Sequence, residues 1–271
     1  MPDELPRPTA LPPDIGDALA RVRPGSGARP QVAWFASVAS TNDVASRLAE
    51  GGAPHLTTVV AEEQTAGRGR LGRTWFSPPG AGLYVSFIVR LLGGAPSASL
   101  PLVSLTAGVA FAEAVRLCAH LPVTIKWPND LVVERRKLAG ILTEASGGEG
   151  FEHVIVGFGL NLRPAAYPPE IADRATSIEA ELGRPLDRGM VLVQCLDSFA
   201  LWMDALLAGK GDAILERWRS LAPSARGSRI AWVSTAGLQE GVTDGIDDDG
   251  ALLVRTTGGI QRIIAGEVKW L

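Results

Sequence analysis

The densest cluster of side chains suited to chemistry is Gly67-Arg68-Gly69-Arg70-Leu71-Gly72-Arg73-Thr74-Trp75. Glycine lets backbone approach a ligand closely, and guanidinium forks bind phosphate oxygens in pairs. The glycines at 67, 69 and 72 match the spacing of a dinucleotide fingerprint. The following Thr74-Trp75-Phe76-Ser77-Pro78-Pro79 cannot form the phosphate-capping helix that this fingerprint requires. What remains is a glycine loop carrying Arg68, Arg70 and Arg73, open to three readings: an anion clamp, a solvated basic turn, or a nucleic-acid backbone contact.

Three further segments have chemical potential. Lys126-Trp127-Pro128-Asn129-Asp130 puts a lysine beside an Asn/Asp pair, a set able to hold a phosphate and its Mg²⁺ because magnesium takes oxygen ligands. The same residues also make a good polar turn. Lys137 opens an apolar strand in which Ala139 and Gly140 leave room for a ligand or a neighbouring backbone, although a strand-end lysine is often merely solvated. Gly157-Phe158-Gly159-Leu160-Asn161-Leu162 sets an asparagine in an apolar strand, where its amide must find a turn or a ligand edge such as adenine. Ser40 and Asp43 fit a capping box. Asp247-Asp248-Asp249-Gly250 lacks the first aspartate of a calcium loop and reads as a hairpin turn. The three histidines have no metal or triad spacing, and no nucleophile elbow is present, so covalent catalysis by the protein is not indicated.

These residues need a scaffold. Strands are predicted at 31–36, 57–62, 83–90, 123–127, 130–134, 137–145 and 153–160, the pair at 130–145 as a hairpin. Helices are predicted from Ser40, over 102–119, along the face Leu192, Leu196, Phe199, Met203 and Leu206, and around Ile214, Leu215 and Trp218. Beyond about 224, four short strands alternate with Gly and Asp turns, predicting a small antiparallel barrel. Strands and helices without regular βαβ alternation favour an α+β fold, a mixed sheet packed with helices. Residues 1–30 hold seven of the nineteen prolines and read as a loosely packed N-terminal arm. The organisation is therefore 1–30 arm, 31–223 main domain and 224–271 small domain.

The 271 residues carry a formal net charge of −3, against the basic excess of a general nucleic-acid coat. Cys118 and Cys195 show no metal or redox spacing, consistent with a reducing, cytoplasmic setting. No secretory signal is visible, and the uncharged stretch 91–112 is broken by glycines and prolines, so no membrane association is expected.

In combination, the four segments resemble the biotin–protein ligases. The motifs that carry the resemblance are Ser40-Thr41-Asn42, Gln64, the 67–73 loop with Trp75, and the segments 126–130, 137–142 and 157–162, in order, with Ala265-Gly266-Glu267-Val268 near the end. The resemblance implies a sheet related to class II tRNA synthetases plus the small C-terminal barrel. It implies a two-step reaction: biotin attacks the α-phosphate of ATP to give biotinyl-5′-AMP, and a lysine of a biotin carboxyl carrier protein domain then takes the biotinyl group. It places Ser40, Thr41, Asn42 and Gln64 around the ureido ring, with Gly67, Gly69 and Gly140 framing the biotin pocket. Arg68 and Arg70 fall near the carboxylate and α-phosphate, Trp75 on the adenylate, and Asn161 at the adenine. Lys137 becomes the main catalytic lysine, assisted by Arg70. Lys126, Asn129 and Asp130 serve the triphosphate and Mg²⁺, and Arg73 belongs to the ATP side.

Many such ligases begin with a winged-helix DNA-binding domain. Only 39 residues precede Ser40, and they are proline-rich, so the monofunctional type without a repressor role is expected, as a monomer or weak dimer. Two alternatives stand beside it: a lipoate–protein ligase, whose loop typically has a following histidine where this chain has Trp75, and a non-enzymatic nucleic-acid-binding protein using the Arg/Gly loop.

Overall fold

The computed structural model describes residues 6–21, 31–91, 99–146, 153–234 and 237–271. In chain order the elements are α1 (Pro13–Arg21), β1 (Val32–Phe35), α2 (Thr41–Glu50), β2 (Thr58–Ala61), β3 (Gly82–Arg90), α3 (Ser99–Ala119), β4 (Thr124–Lys126), β5 (Asp130–Val133), β6 (Arg136–Ser146) and β7 (His153–Asn161). There follow α4 (Pro169–Ala172), α5 (Ile178–Leu182), α6 (Arg188–Leu207), α7 (Gly211–Leu221), β8 (Arg226–Ser234), β9 (Gly237–Ile246), β10 (Leu252–Thr256), β11 (Gly259–Ile263) and β12 (Val268–Trp270). The predicted strands and long helices are all present, with boundaries moved by one to three residues.

The first seven strands form one mixed sheet in the order β1-β2-β3-β7-β6-β5-β4, with β1 and β2 parallel and the other neighbours antiparallel. Strand periodicity of two gives each central strand two different faces. On one face Leu83, Val85, Phe87 and Val89 of β3 and Val156, Phe158 and Leu160 of β7 join the main core under α3, α6 and α7. Phe111 of α3 stacks on Phe158 there, and Phe199 of α6 packs tilted against Phe87. On the other face Ile88 and Ile155 pack beneath Val44, Ala45 and Ala49 of α2. Among the other residues of that second face, Ser86, Gly157, Gly159 and Gly140 are too small to fill the space under the start of α2. That space is the site.

The last five strands form an antiparallel sheet, β11-β10-β9-β8-β12. It is open, not the closed barrel expected: β11 and β12 lie at opposite edges and each has one partner, β12 offering only three residues to β8. Its inner side chains, among them Ile230, Leu252, Val254 and Val268, belong to the same apolar core as the large sheet. The Trp127 indole N–H donates to the Gly250 carbonyl at 3.1 Å, tying the two sheets together.

One element differs from expectation for a readable reason. Within the expected arm, the described residues 6–21 are docked rather than loose: Ile15 and Ala18 of α1 are buried, and the Thr9 N–H donates to the Trp34 carbonyl at 2.8 Å. Pro13 sits at the first helical position, where a missing N–H costs nothing, so here proline starts a helix. α1 packs on α6 at Gly189, where a Cβ would overlap the Asp14 carbonyl. The stretches Leu100–Ala119 and Arg188–Leu207 are long and apolar enough to span a membrane by composition, and both take part in the core that α3 and α6 build against the sheet.

Candidate active site

Ser40 occupies the N-cap of α2 in extended conformation, yet its side chain makes no capping bond, so the capping-box reading does not hold. Instead Ser40, Thr41 and Asn42 are buried against the second face of the sheet. The Thr41 backbone N–H and hydroxyl approach Gln64 Oε1 at 2.9 and 3.0 Å, and Gln64 Nε2 donates to Ser77 Oγ at 3.0 Å. Ser86 Oγ lies 2.7 Å from Thr41 Oγ1 and 2.6 Å from Asn42 Oδ1, and Asn42 Nδ2 donates to Glu144 at 2.5 Å. Gly157 makes this possible, because a Cβ there would overlap the Asn42 amide. The result is a polar floor of uncharged side chains facing the cavity, Thr41, Asn42, Gln64 and Ser86 being linked by hydrogen bonds.

The Arg/Gly loop folds back across this floor. Trp75 N–H donates to the Gly67 carbonyl at 2.9 Å and Gly69 N–H to the Arg73 carbonyl at 2.7 Å. A 3-10 turn over Arg70–Gly72 places Leu71 and Gly72 at positive φ, a conformation that glycine adopts freely and leucine rarely does. Arg68 forks onto Asp43 at 2.7 and 2.8 Å and reaches Glu144 at 3.3 Å, which raises its already high pKa. Arg73 bonds Glu267, just before β12, and holds that carboxyl below its usual range.

Cations collect at the other end. Lys137 Nζ lies 2.6 Å from Asp130 Oδ1 and 5.3 Å from the centre of the Trp75 ring. Lys126 sits 4.6 Å from the Trp270 ring centre, and burial lowers its pKa. Arg70 is half-buried, which lowers its pKa too. Its nearest acceptors are Asn129 Oδ1 at 3.4 Å and the Gly266 carbonyl at 3.5 Å. Among the described residues no carboxylate reaches Arg70 within salt-bridge distance, and a buried cation without its counter-charge is a place for an anion. Trp75 fills the gap over Gly140 and Gly159, where a Cβ would press on or overlap the indole, and its buried Nε1 has no partner.

Floor and cations line one cavity of about 290 Å³. Ser40, Thr41, Asn42, Gln64, Arg68, Gly69, Arg70, Arg73, Trp75, Lys126, Asn129, Asp130, Lys137, Gly140 and Asn161 all border it. Gly67 does not: it packs behind the loop, where a Cβ would collide with Ser77 Oγ and the Trp75 carbonyl. Asn161 is held by its Nδ2 donating to the Thr176 carbonyl at 2.9 Å, so of the two partners open to its amide the turn is taken. Sequence reasoning missed Asp43, Ser86, Glu144 and Glu267 as parts of the site. Glu144 was reachable, since 140, 142 and 144 share one face of β6, whereas Glu267 meets the loop only through the second sheet.

The family model for the biotin/lipoate A/B protein ligase family matches residues 34–161, and that for the biotin protein ligase C-terminal domain matches 238–269. The chain is 38% identical over 237 residues to the biotin--[acetyl-CoA-carboxylase] ligase of Paracoccus denitrificans, covering 84% of this chain and 96% of that one. It belongs to the biotin protein ligase family. A bifunctional ligase/repressor of the family, BirA of Bacillus subtilis, is 35% identical over 235 residues, covering 86% of this chain and 71% of its own length. Among solved biotin protein ligases, that of Aquifex aeolicus in complex with biotin and ATP superposes with a TM-score of 0.76 at 31% identity, covering 89% of this chain and 98% of that one. Membership accounts for the mixed sheet with an appended antiparallel sheet.

Proposed function

We propose that this enzyme is an ATP-dependent biotin–protein ligase that makes biotinyl-5′-AMP and passes the biotinyl group to a lysine of a biotin carboxyl carrier protein domain. The observation that carries the reading is the polarity of the cavity. A neutral polar floor suits an uncharged ureido ring, and Arg70, Lys126 and Lys137 at the opposite end suit a carboxylate and phosphates. Residues 31–223 supply floor and cations, and residues 224–271 close the mouth through Gly266 and Glu267.

In this reading Thr41, Asn42 and Gln64 hold the ring beside Ser40, and the loop carrying Arg68 and Gly69 covers it. Attack of the biotin carboxylate on the α-phosphorus forms the acyl–phosphate bond and expels pyrophosphate. Negative charge accumulates on phosphate oxygens, so fixed cations are the required catalysts. Lys137 and Arg70 bridge carboxylate and α-phosphate, Lys126 takes the leaving pyrophosphate, and Arg73 stays at the ATP side of the mouth. Trp75 and Asn161 flank the base. In the second step the carrier amine attacks the acyl carbon and AMP leaves. The loop keeps water from the mixed anhydride between the steps.

Mg²⁺ takes a few protein oxygens and several from phosphate and water. Asp130 supplies one carboxylate, paired with Lys137 through one oxygen, and Asn129, its Nδ2 committed to the Ile141 carbonyl at 2.5 Å, has an Oδ1 met only by the long 3.4 Å contact from Arg70; as oxygen donors these two fit such an ion. When bound, it would neutralise phosphate charge. A cytoplasmic enzyme, monomeric or weakly dimeric and with no DNA or membrane partner, completes the reading. ATP–pyrophosphate exchange with Mg²⁺ tests it, comparing biotin, lipoate and no acid. Exchange with biotin alone is expected, and exchange with lipoate alone would overturn the assignment.

A further inference from the structure

The floor of the cavity is a chain of hydrogen bonds whose direction can be counted proton by proton. It begins at Glu144, on β6, whose carboxylate oxygen lies 2.5 Å from the Asn42 amide. A carboxylate has no proton to give, so Asn42 must turn its Nδ2 to Glu144 and its Oδ1 to Ser86, 2.6 Å away. Ser86 is fully buried, and its single hydroxyl proton is thereby committed to Asn42. The 2.7 Å contact between Ser86 and Thr41 then needs the Thr41 proton. Gln64 Oε1 keeps the Thr41 backbone N–H at 2.9 Å, and at 3.0 Å from the Thr41 hydroxyl it is the other protein acceptor for that proton, so with either partner the proton points away from the cavity. Thr41, which borders the cavity, has only lone pairs left to offer.

We infer that Glu144 is a positioning residue that acts through Asn42 and Ser86 to make Thr41 Oγ1 a hydrogen-bond acceptor, so that the floor selects a ring bearing N–H donors. The inference rests on the biotin reading and deepens it. A ureido ring satisfies the demand, and a ring with oxygen in place of that N–H leaves two acceptors facing each other, which buried sites reject strongly. Replacing Glu144 by glutamine removes the direction. The new side-chain amide can donate, Asn42 can flip, Ser86 can turn its proton to Thr41, and the Thr41 proton is released from Ser86 to be shared between Gln64 Oε1, 3.0 Å away, and an acceptor on the ligand.

Glu144 also touches Arg68, so the test must separate the floor from the loop. Calorimetric Kd values are measured for biotin and for the two biotin analogues in which one or the other ring N–H is replaced by oxygen. The wild-type chain is expected to bind at least one analogue roughly a hundredfold more weakly than biotin. In Glu144→Gln, and independently in Glu144→Met, that ratio is expected to fall about tenfold. In Asp43→Asn, which loosens the better-bonded partner of Arg68 and leaves the chain of bonds intact, the ratio is expected to stay as in wild type. An unchanged ratio in both Glu144 variants at unaltered melting temperature, or an equal fall in Asp43→Asn, overturns the inference while leaving biotin binding in place. A wild-type chain that binds no biotin overturns the proposed function itself.

Discussion

Gly159 lies against the Trp75 indole so closely that a Cβ at 159 would overlap its five-membered ring. The adjacent glycine on the same strand face, Gly157, stands in the same relation to the Asn42 amide. Two glycines two residues apart on β7 thus set the positions of two side chains at opposite ends of one cavity.

Gly159→Ala and Gly157→Ala are therefore expected to have crossed effects. The first displaces Trp75 and raises the KM for ATP, with little change for biotin. The second displaces Asn42 and raises the KM for biotin, with little change for ATP. Each change is expected to be tenfold or more, about 1.4 kcal/mol or greater, as is usual where a small residue is overpacked. Steady-state pyrophosphate exchange with each substrate varied in turn reads both.

Lys137→Ala removes the cation that pairs with Asp130 at 2.6 Å. Loss of one preorganised charge at a reacting phosphate costs about 10²–10³ in rate. Biotin-dependent exchange is expected to fall by that factor. The half-exposed lysine contributes little to folding, so the melting temperature should stay within a degree or two. Exchange that survived the substitution would remove Lys137 from the chemistry.

Arg188 bonds Glu62 at 2.8 Å and Asp14 at 2.5 Å, and lies 5.4 Å from the Trp34 ring centre, clamping α1 to the sheet. Arg188→Ala strands two carboxylates and loses stem packing, an expected cost of about 1–3 kcal/mol that a denaturant midpoint would register. Hydrogen bonding to Arg188 lowers the Asp14 pKa below its ordinary 3.8. A depressed carboxyl stabilises the fold at all pH above its unfolded value, and the contribution disappears as pH falls through the folded value. Acid unfolding of wild type should therefore be steeper below pH 4 than that of Asp14→Asn.

The Arg73–Glu267 pair joins the loop to the C-terminal sheet, and the bond to Arg73 lowers the Glu267 pKa. By the same sign rule, the tie is complete at neutral pH and weakens as acid protonates Glu267. Glu267→Gln is expected to speed tryptic cleavage at Arg73 severalfold at pH 7–8, with ATP plus biotin restoring protection. Equal cleavage rates in the two proteins would mean that the pair does not order the loop.

Burial pushes the Cys118 thiol up to about 11 and also holds that of Cys195 well above its ordinary value. Neither has thiolate to offer at neutral pH. Native protein should react with a maleimide far more slowly than free cysteine does, and both thiols should react after denaturation.

Much of this protein is determined by sequence pattern alone. Alternation along 83–90 and 153–160 specifies two-faced strands, and 3–4 spacing along 192–206 specifies the helix above them, because burial on one side enforces those periods. The Arg and Lys residues that line the cavity were likewise legible by type, whereas Ser40, Thr41, Asn42 and Gln64 were legible only through the family resemblance. What lay beyond the sequence was every partnership made across elements. Only folding brings Glu144 of β6 to Asn42 of α2, Glu267 before β12 to Arg73 of the loop, and Arg188 of α6 to Asp14 of α1. The open C-terminal sheet was decided in the same way, by which strands meet. Pairing over tens to hundreds of residues leaves no local period. It is set by sheet order and register, and those are fixed when the whole core packs at once.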